Sequence, residues 1–250
     1  MLVEVAGVSK HFGGLQAATD VSFTLRSGEI VALIGPNGAG KSTVFNLMTG
    51  LLAPSAGDVR MRGKSVLGLA APEIARRGMV RYFQHVRAVQ GLTAAENVAI
   101  AIPRQSGESL LSAFLRPFRS GRDERRVRAE AYRWLDKVGA GNYADTVVRD
   151  LAFGQQKLVA FARLLATGAD VLLLDEPIAG VDPAAAKQLI ELVRSLARDG
   201  RAVCIVEHSL HVVQELADKV VFMDAGRVIA EGSVAQITNR PDLVDLYFGE

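Results

Sequence analysis

The sequence predicts an α/β fold with a mixed core sheet, an N-terminal antiparallel β subdomain and an inserted α-helical subdomain. The helical part falls at about 85–150 of a single domain of 250 residues. Three observations predict it. Four uninterrupted apolar runs, Ile30–Ile34, Val171–Leu174, Ala202–Val206 and Val220–Met223, read as strands covered on both faces, the pattern of a parallel sheet with helices packed on it. In the first third, Val21-Ser22-Phe23-Thr24-Leu25 and Val59-Arg60-Met61-Arg62 alternate apolar and polar residues, as half-exposed antiparallel strands do. From about Glu96 to Asp150 strand signals give way to helical periodicity, most clearly over Glu124–Val138, which stops at Gly139.

Taken in chain order, Ile30–Ile34 runs directly into Gly35-Pro36-Asn37-Gly38-Ala39-Gly40-Lys41-Ser42-Thr43, a match to G-x-x-x-x-G-K-[ST]. A helical run follows over Val44–Thr49, and Gly50 stands where a C-terminal cap belongs. Strand, glycine loop and helix together are the context this motif requires, which makes the core a P-loop NTPase. Glycine lets the backbone approach a bulky anion, so that successive N–H groups form an anion nest. The helix N-terminus adds roughly half an elementary charge. Lys41 supplies a full positive charge to the outer phosphates, and Ser42 a hydroxyl ligand for Mg²⁺. Further on, Leu158, Phe161, Ala162 and Leu165 give the segment to Thr167 an amphipathic helical face. Asp182-Pro183 opens another helix, Asp as N-cap and Pro at the first helical position, which ends near Gly200.

Composition narrows the function. The chain is 49% hydrophobic and 22% charged, enough to build a core and incompatible with global disorder. With 29 basic and 27 acidic residues the charge is nearly balanced, so no nucleic-acid partner is expected. Apolar runs reach only four or five residues, and Met1-Leu2-Val3-Glu4-Val5 lacks the pattern of a signal peptide, so a cytoplasmic location is expected. The single cysteine, Cys204, sits in an apolar run and is expected to pack in the core.

Four more places carry chemistry. The strand Val171–Leu174 ends in Asp175 and Glu176. A phosphate-loop enzyme needs an acid at such a strand end to hold Mg²⁺ through water, and a second acid beside it can deprotonate an attacking water. Gln84 follows the short stretch Met79–Phe83, and its neutral amide can bind Mg²⁺ or its water. His208 follows the run ending Val206-Glu207; it fits either a contact to a γ-phosphate or an ordinary surface position. Leu151-Ala152-Phe153-Gly154-Gln155-Gln156 opens a helix that is either a second phosphate-facing end or simply a capped helix.

In this order, phosphate loop, Gln84, Leu151–Gln155, Val171–Asp175, Glu176, Asp182 and His208, the chain resembles an ABC-transporter ATP-binding subunit over nearly its whole length. The resemblance implies ATP and Mg²⁺ as cofactors. It implies Phe12 stacked on adenine, the segment from Gly35 to Thr43 with Gly154 and Gln155 on the phosphates, and Ser42, Gln84 and Asp175 around the metal. Glu176 would polarise the attacking water and His208 hold the γ-phosphate. Where the family's signature reads L-S-G-G-Q, this chain has Ala152 and Phe153 in the second and third places, and Ala179-Gly180-Val181-Asp182 stands where S-A-L-D is common. The L-A-F-G-Q-Q version, the segment Arg81-Tyr82-Phe83-Gln84-His85-Val86-Arg87 and the ending Pro241-Asp242-Leu243 to Tyr247-Phe248-Gly249 are similar to ATPase subunits of branched-chain amino acid importers. The long insert around Ile102–Arg126 is similar to the larger of the two such ATPases. Implied partners are a second ABC ATPase subunit, a paralogue or another copy, transmembrane permease subunits, and indirectly an extracytoplasmic substrate-binding protein, with the chain peripheral on the inner face of the cytoplasmic membrane. Alternatives are a related importer for urea, amides or aromatic acids, or a non-transport ABC ATPase. The arginine-rich Arg116–Arg133 fits a solvated helix face with i,i+4 pairs, or a contact with a permease loop or anionic lipid.

Overall fold

A computed structural model describes residues 1–83, 88–103 and 120–243, the side chains of 120–122 excepted. The chain divides into two compact units, Met1–Gln84 with Ala169–Ala179 and Ala186–Glu250, and His85–Gly168 with Gly180–Ala185.

The first unit contains two sheets. Strands β1 (Val3–Phe12), β2 (Leu15–Leu25), β4 (Ala56–Met61) and β5 (Lys64–Ser65) form an antiparallel sheet in the order β2-β1-β4-β5. The alternating segments read from the sequence lie here: Val21, Phe23 and Leu25 are buried while Ser22 and Thr24 between them are less so. The second sheet has six strands in the order β10-β9-β3-β8-β7-β6. These are β3 (Ile30–Ile34), β6 (Met79–Tyr82), β7 (Val171–Asp175), β8 (Ala202–Val206), β9 (Lys219–Asp224) and β10 (Arg227–Gly232). All neighbours pair in parallel except β10, which returns antiparallel to β9 and makes the sheet mixed. Every residue of β3, β7 and β8 is buried, which is why these strands are unbroken apolar runs.

One continuous core joins the two sheets. It contains Val5, Phe23, Leu25, Val59 and Met61 from the first, Val31, Leu33, Val171, Leu173, Cys204, Val206, Val221 and Met223 from the second, and Val44, Phe45 and Met48 from helix α1 (Lys41–Met48). The alternate residues Ile30, Ala32, Leu172, Leu174, Val203, Ile205, Val220 and Phe222 are also buried, so the sheet is covered on both faces. Burial pushes the thiol of Cys204 far above its ordinary value, so it is an inert packing group. Helix α2 (Ala71–Arg76), the C-terminal part of α6 (Pro183–Arg198), α7 (Leu210–Leu216) and α8 (Val234–Thr238) complete this unit. At the start of α6 Asp182 Oδ1 accepts from the N–H groups of Ala184 (3.0 Å) and Ala185 (3.1 Å), an N-cap in front of a Pro at the first helical position.

The second unit is helical. Helices α3 (Ala94–Ala99), α4 (Ser120–Lys137) and α5 (Phe153–Ala166) pack on one another pairwise. Thr93 opens α3 with a reciprocal cap: its hydroxyl accepts from the Glu96 N–H (3.2 Å), and the Glu96 carboxylate accepts from the Thr93 N–H (2.8 Å). Helix α4 buries Val127, Ala131 and Leu135 along one face, and Val138, just past its end, is buried as well. On its other side Arg126 pairs with Glu130 (3.5 Å) and Arg128 with Asp145 (3.2 Å), in accord with a solvated, ion-paired face. The arginines at 116 and 119 and the insert over 104–119 lie outside the described residues.

Candidate functional site

The phosphate loop leaves β3 and enters α1, as the motif requires. Gly40 caps α1 in a left-handed conformation (φ 98°, ψ 2°), and its carbonyl accepts the Val44 N–H at 3.0 Å. The Lys41 ammonium is buried and donates to the carbonyls of Gly35 (2.6 Å) and Pro36 (2.8 Å). Burial lowers its pKa from the ordinary lysine value, an effect opposed by the charges of Glu176 and Asp175. A desolvated cation held by carbonyls at a helix N-terminus is a ready counter-charge for phosphate.

Neighbouring strands support the loop. A Cβ on Gly35 would lie 1.9 Å from the Met223 carbonyl oxygen of β9. The Gly226 N–H, in the turn between β9 and β10, donates to the Ala39 carbonyl (3.1 Å), and the Gly226 carbonyl accepts the Thr19 N–H of β2 (2.7 Å). The loop is thus held between two sheets.

Over it opens a cleft of about 510 Å³, the size of a small-molecule site. Its lining brings together Phe12, Asn37, Gly38, Ala39, Gly40, Lys41, Ser42, Thr43, Glu176 and His208. Phe12 stands at the end of β1, 47% exposed, with the Lys10 ammonium 5.2 Å from its ring centre. At the other end, Glu176 has left β7 with φ 46°, a left-handed conformation that costs a side-chain-bearing residue about 1–2 kcal/mol. The conformation is held by its N–H, which donates to Val206 O (2.9 Å). It presents the carboxylate to His208, whose Nε2 lies 3.0 Å from Glu176 Oε1. The buried Glu207 carboxylate accepts the Ile178 N–H (3.1 Å), bracing the segment after Glu176 from the strand end that carries His208.

Asp175 is buried at the end of β7. It does not line the cleft with the others; its carboxylate is ion-paired with Arg81 of β6. Arg81 was not among the residues that sequence reasoning singled out, although a charge inside the otherwise apolar Met79–Phe83 was a visible signal. Gln84, a few residues on, lies outside the described residues. Leu15, Gln16, Ala17 and Ala225 also line the cleft and carry no motif; only the approach of β2 and the β9–β10 turn puts them there.

Gly154 and Gln155 belong to the second unit, in the first turn of α5. Ala152, at the N-cap, has no hydroxyl to offer. The Gln155 side-chain oxygen instead accepts the Ala152 N–H (2.9 Å), and the Gln156 amide donates to Leu151 O (2.9 Å). The helix is therefore capped from one direction only.

The donor set suits Mg²⁺. Hydroxyl and carboxylate oxygens from Ser42 and Asp175 are hard ligands, and Mg²⁺ typically takes one or two such protein groups and completes its shell with phosphate oxygens and water. Among the described residues no cluster of three or more His, Cys, Asp or Glu side chains could hold a metal by itself.

Comparison with known proteins follows the same lines. The sequence profile of the ABC transporter family matches residues 18–179. The chain is 38% identical over 252 residues to the high-affinity branched-chain amino acid transport ATP-binding protein LivG of Salmonella typhimurium, covering 100% of this chain and 98% of that one. It is 36% identical over 250 residues to the corresponding protein BraF of Pseudomonas aeruginosa, with the same coverage. Among solved structures, an ATP-binding cassette of an ABC transporter in its ADP conformation superposes with a TM-score of 0.85 at 32% identity, covering 100% of this chain and 99% of that one. A dimeric bacterial ABC transporter cassette gives 0.78 at 25% identity, covering 93% and 99%.

Proposed function

Because the chain belongs to the ABC transporter family, we propose that it is the ATP-binding, ATP-hydrolysing subunit of an importer for branched-chain amino acids. The observation that carries the catalytic part is the Glu176–His208 contact at the mouth of a cleft whose floor is the phosphate loop. The cargo follows from the names of LivG and BraF, similar over the full chain.

Phe12 stacks against the base, and the amides from Gly35 to Thr43 with Lys41 bind and orient the phosphates. Ser42, Gln84 and Asp175 would hold Mg²⁺, which when bound would spread the negative charge of the phosphates. Glu176 orients the attacking water and accepts its proton on the carboxylate as the oxygen bonds to the terminal phosphorus, while the bond from that phosphorus to the bridging oxygen breaks and its electron pair leaves on ADP. His208 donates from Nε2, holding Glu176 in place before nucleotide arrives and the terminal phosphate afterwards. Gly154, Gln155 and the N-terminal amides of α5 serve the phosphates of a second cassette, a paralogue or another copy of this chain. ATP bridges such a pair and ADP does not, so hydrolysis releases it. The inserted helical subdomain, about 85–150, passes the movement to permease subunits, which receive cargo from a substrate-binding protein. Among the described residues no helix is long and apolar enough to cross a membrane. In this reading the chain works at the inner face of the membrane through its permease partners.

Glu176→Gln keeps the shape and removes the base. It is expected to bind ATP with unchanged affinity and to lose at least about 10²-fold in hydrolysis rate. Normal turnover by this variant in a phosphate-release assay overturns the assignment. Transport by vesicles carrying the cognate permease, with leucine, isoleucine or valine in competition, tests the cargo.

A further inference from the structure

We propose that Arg81 is a built-in counter-cation for Asp175, neutralising the carboxylate and thereby weakening the site for Mg²⁺. The inference rests on the reading of Asp175 as the acid that serves the metal.

Arg81 lies on β6, whose parallel pairing with β7 sets Arg81 opposite Leu173 and Tyr82 opposite Leu174, beside the strand end that carries Asp175. One arm of the guanidinium donates to Asp175 Oδ2, and the other to Asn46 Oδ1 of α1 at 2.5 Å. The group sits 5.4 Å from the Phe45 ring centre and 4.8 Å from that of Phe83. The two charged side chains are 7% and 9% exposed. A flat fork that satisfies two acceptors while lying near aromatic rings is a task for arginine and not for lysine.

Such a pair is a poor way to gain stability. Each ion surrenders its hydration, and apolar side chains of similar volume commonly do as well or better. The Nε of Arg81 is buried without a hydrogen-bond partner among the described residues, a further cost. What the pair does supply is a positive charge fixed on the carboxylate. Lys41 also acts electrostatically on Asp175, but its ammonium is committed to the carbonyls of Gly35 and Pro36. A divalent cation reaching Asp175 therefore meets a carboxylate already shared and a guanidinium that repels it. Even at an effective dielectric constant of about 20, a unit charge several ångström from a divalent ion alters its affinity by more than a factor of ten. By linkage, the charge that steadies the protein without metal is the one that makes metal bind less tightly.

The test is calorimetric titration of Mg²⁺ into the full chain saturated with ADP, together with ADP binding in EDTA, for the wild type, Arg81→Met and Arg81→Lys. Arg81→Met is expected to lower the half-saturating Mg²⁺ concentration at least about tenfold while leaving metal-free ADP affinity within about twofold, and Arg81→Lys is expected to stay within about threefold of the wild type. A purely structural role moves stability and leaves the metal midpoint alone. An unchanged or raised midpoint in Arg81→Met overturns the inference. A wild type whose ADP complex ignores Mg²⁺ refutes the metal reading beneath it instead, and the inference falls with it. Should Arg81→Met be unfolded in EDTA, Mg²⁺ with ADP is expected to restore its fold, and failure to do so counts against the counter-cation role.

Discussion

Replacing Gly40 by alanine is expected to damage the fold itself, well beyond the damage from the same change at Gly38. Both residues have positive φ, 98° and 83°, so each Gly→Ala change carries the left-handed penalty of about 1–2 kcal/mol. Their surroundings differ. A Cβ on Gly38 meets nothing within 4 Å, whereas one on Gly40 lies 2.3 Å from the Ala17 carbonyl oxygen and 3.5 Å from Gly226 Cα. Ala17 is held in β2, so the obstacle is backbone and cannot rotate away. Overpacking of this kind adds about 1–3 kcal/mol. The totals are about 1–2 kcal/mol for Gly38→Ala and about 2–5 kcal/mol for Gly40→Ala. In a chain of this size about 1 kcal/mol corresponds to roughly 2–4 °C, giving melting temperatures lower by about 2–8 °C and about 4–20 °C. Thermal unfolding followed by circular dichroism, without nucleotide and in EDTA, isolates the fold from the ligand. Equal losses for the two variants, or a milder loss for Gly40→Ala, refute the steric reasoning.

Lys41 gives a pH prediction with two opposite signs. Burial lowers its pKa, so the free protein gives up that proton below the ordinary value of about 10.4. Bound phosphate holds the proton on, so ADP affinity is expected to fall by up to about tenfold per pH unit above the lowered pKa. Fluorescence titration with a labelled ADP between pH 7 and 10.5 measures it, and Lys41→Ala, already weak, should lack that limb. In ligand-free folding the unfolded chain holds the proton more tightly, so the contribution of Lys41 to stability improves as pH rises through the same window. At the start of α5, Ala152→Ser supplies the missing N-cap hydroxyl opposite Gln155, at a position whose φ of −60° and ψ of 153° suit a cap. It is expected to add about 0.5–2 kcal/mol, read as a raised urea midpoint at constant m; an unchanged midpoint rejects the one-sided cap.

Several features were legible because the residues that cause them are contiguous. The strand Ile30–Ile34, the loop and the helix beginning at Lys41 follow from an apolar run, a glycine-rich turn and a helical period in direct succession. The cap at Asp182 and the positive φ of Gly50 and Gly139 are equally local; the cap at Thr93 is just as local and was not singled out. The antiparallel sheet was visible through its alternation. Strand β10, Arg227–Gly232, was not singled out, although its alternate residues differ in exposure. The glutamine at 84 and the ending at 247–249 lie outside the described residues, so their places rest on the sequence alone.

The sequence by itself determined the phosphate loop, the acids at the end of β7 and the histidine after β8, because each is fixed by its immediate neighbours in the chain. Only the tertiary structure decided that Glu176 would turn through a left-handed backbone to meet His208, that Ala17 would stand over Gly40, and that Arg81 would neutralise Asp175. Those contacts depend on the strand order β10-β9-β3-β8-β7-β6 and on where β2 crosses the loop. Strand order is set by the packing of distant segments into one core, and no local preference for helix, strand or turn records it.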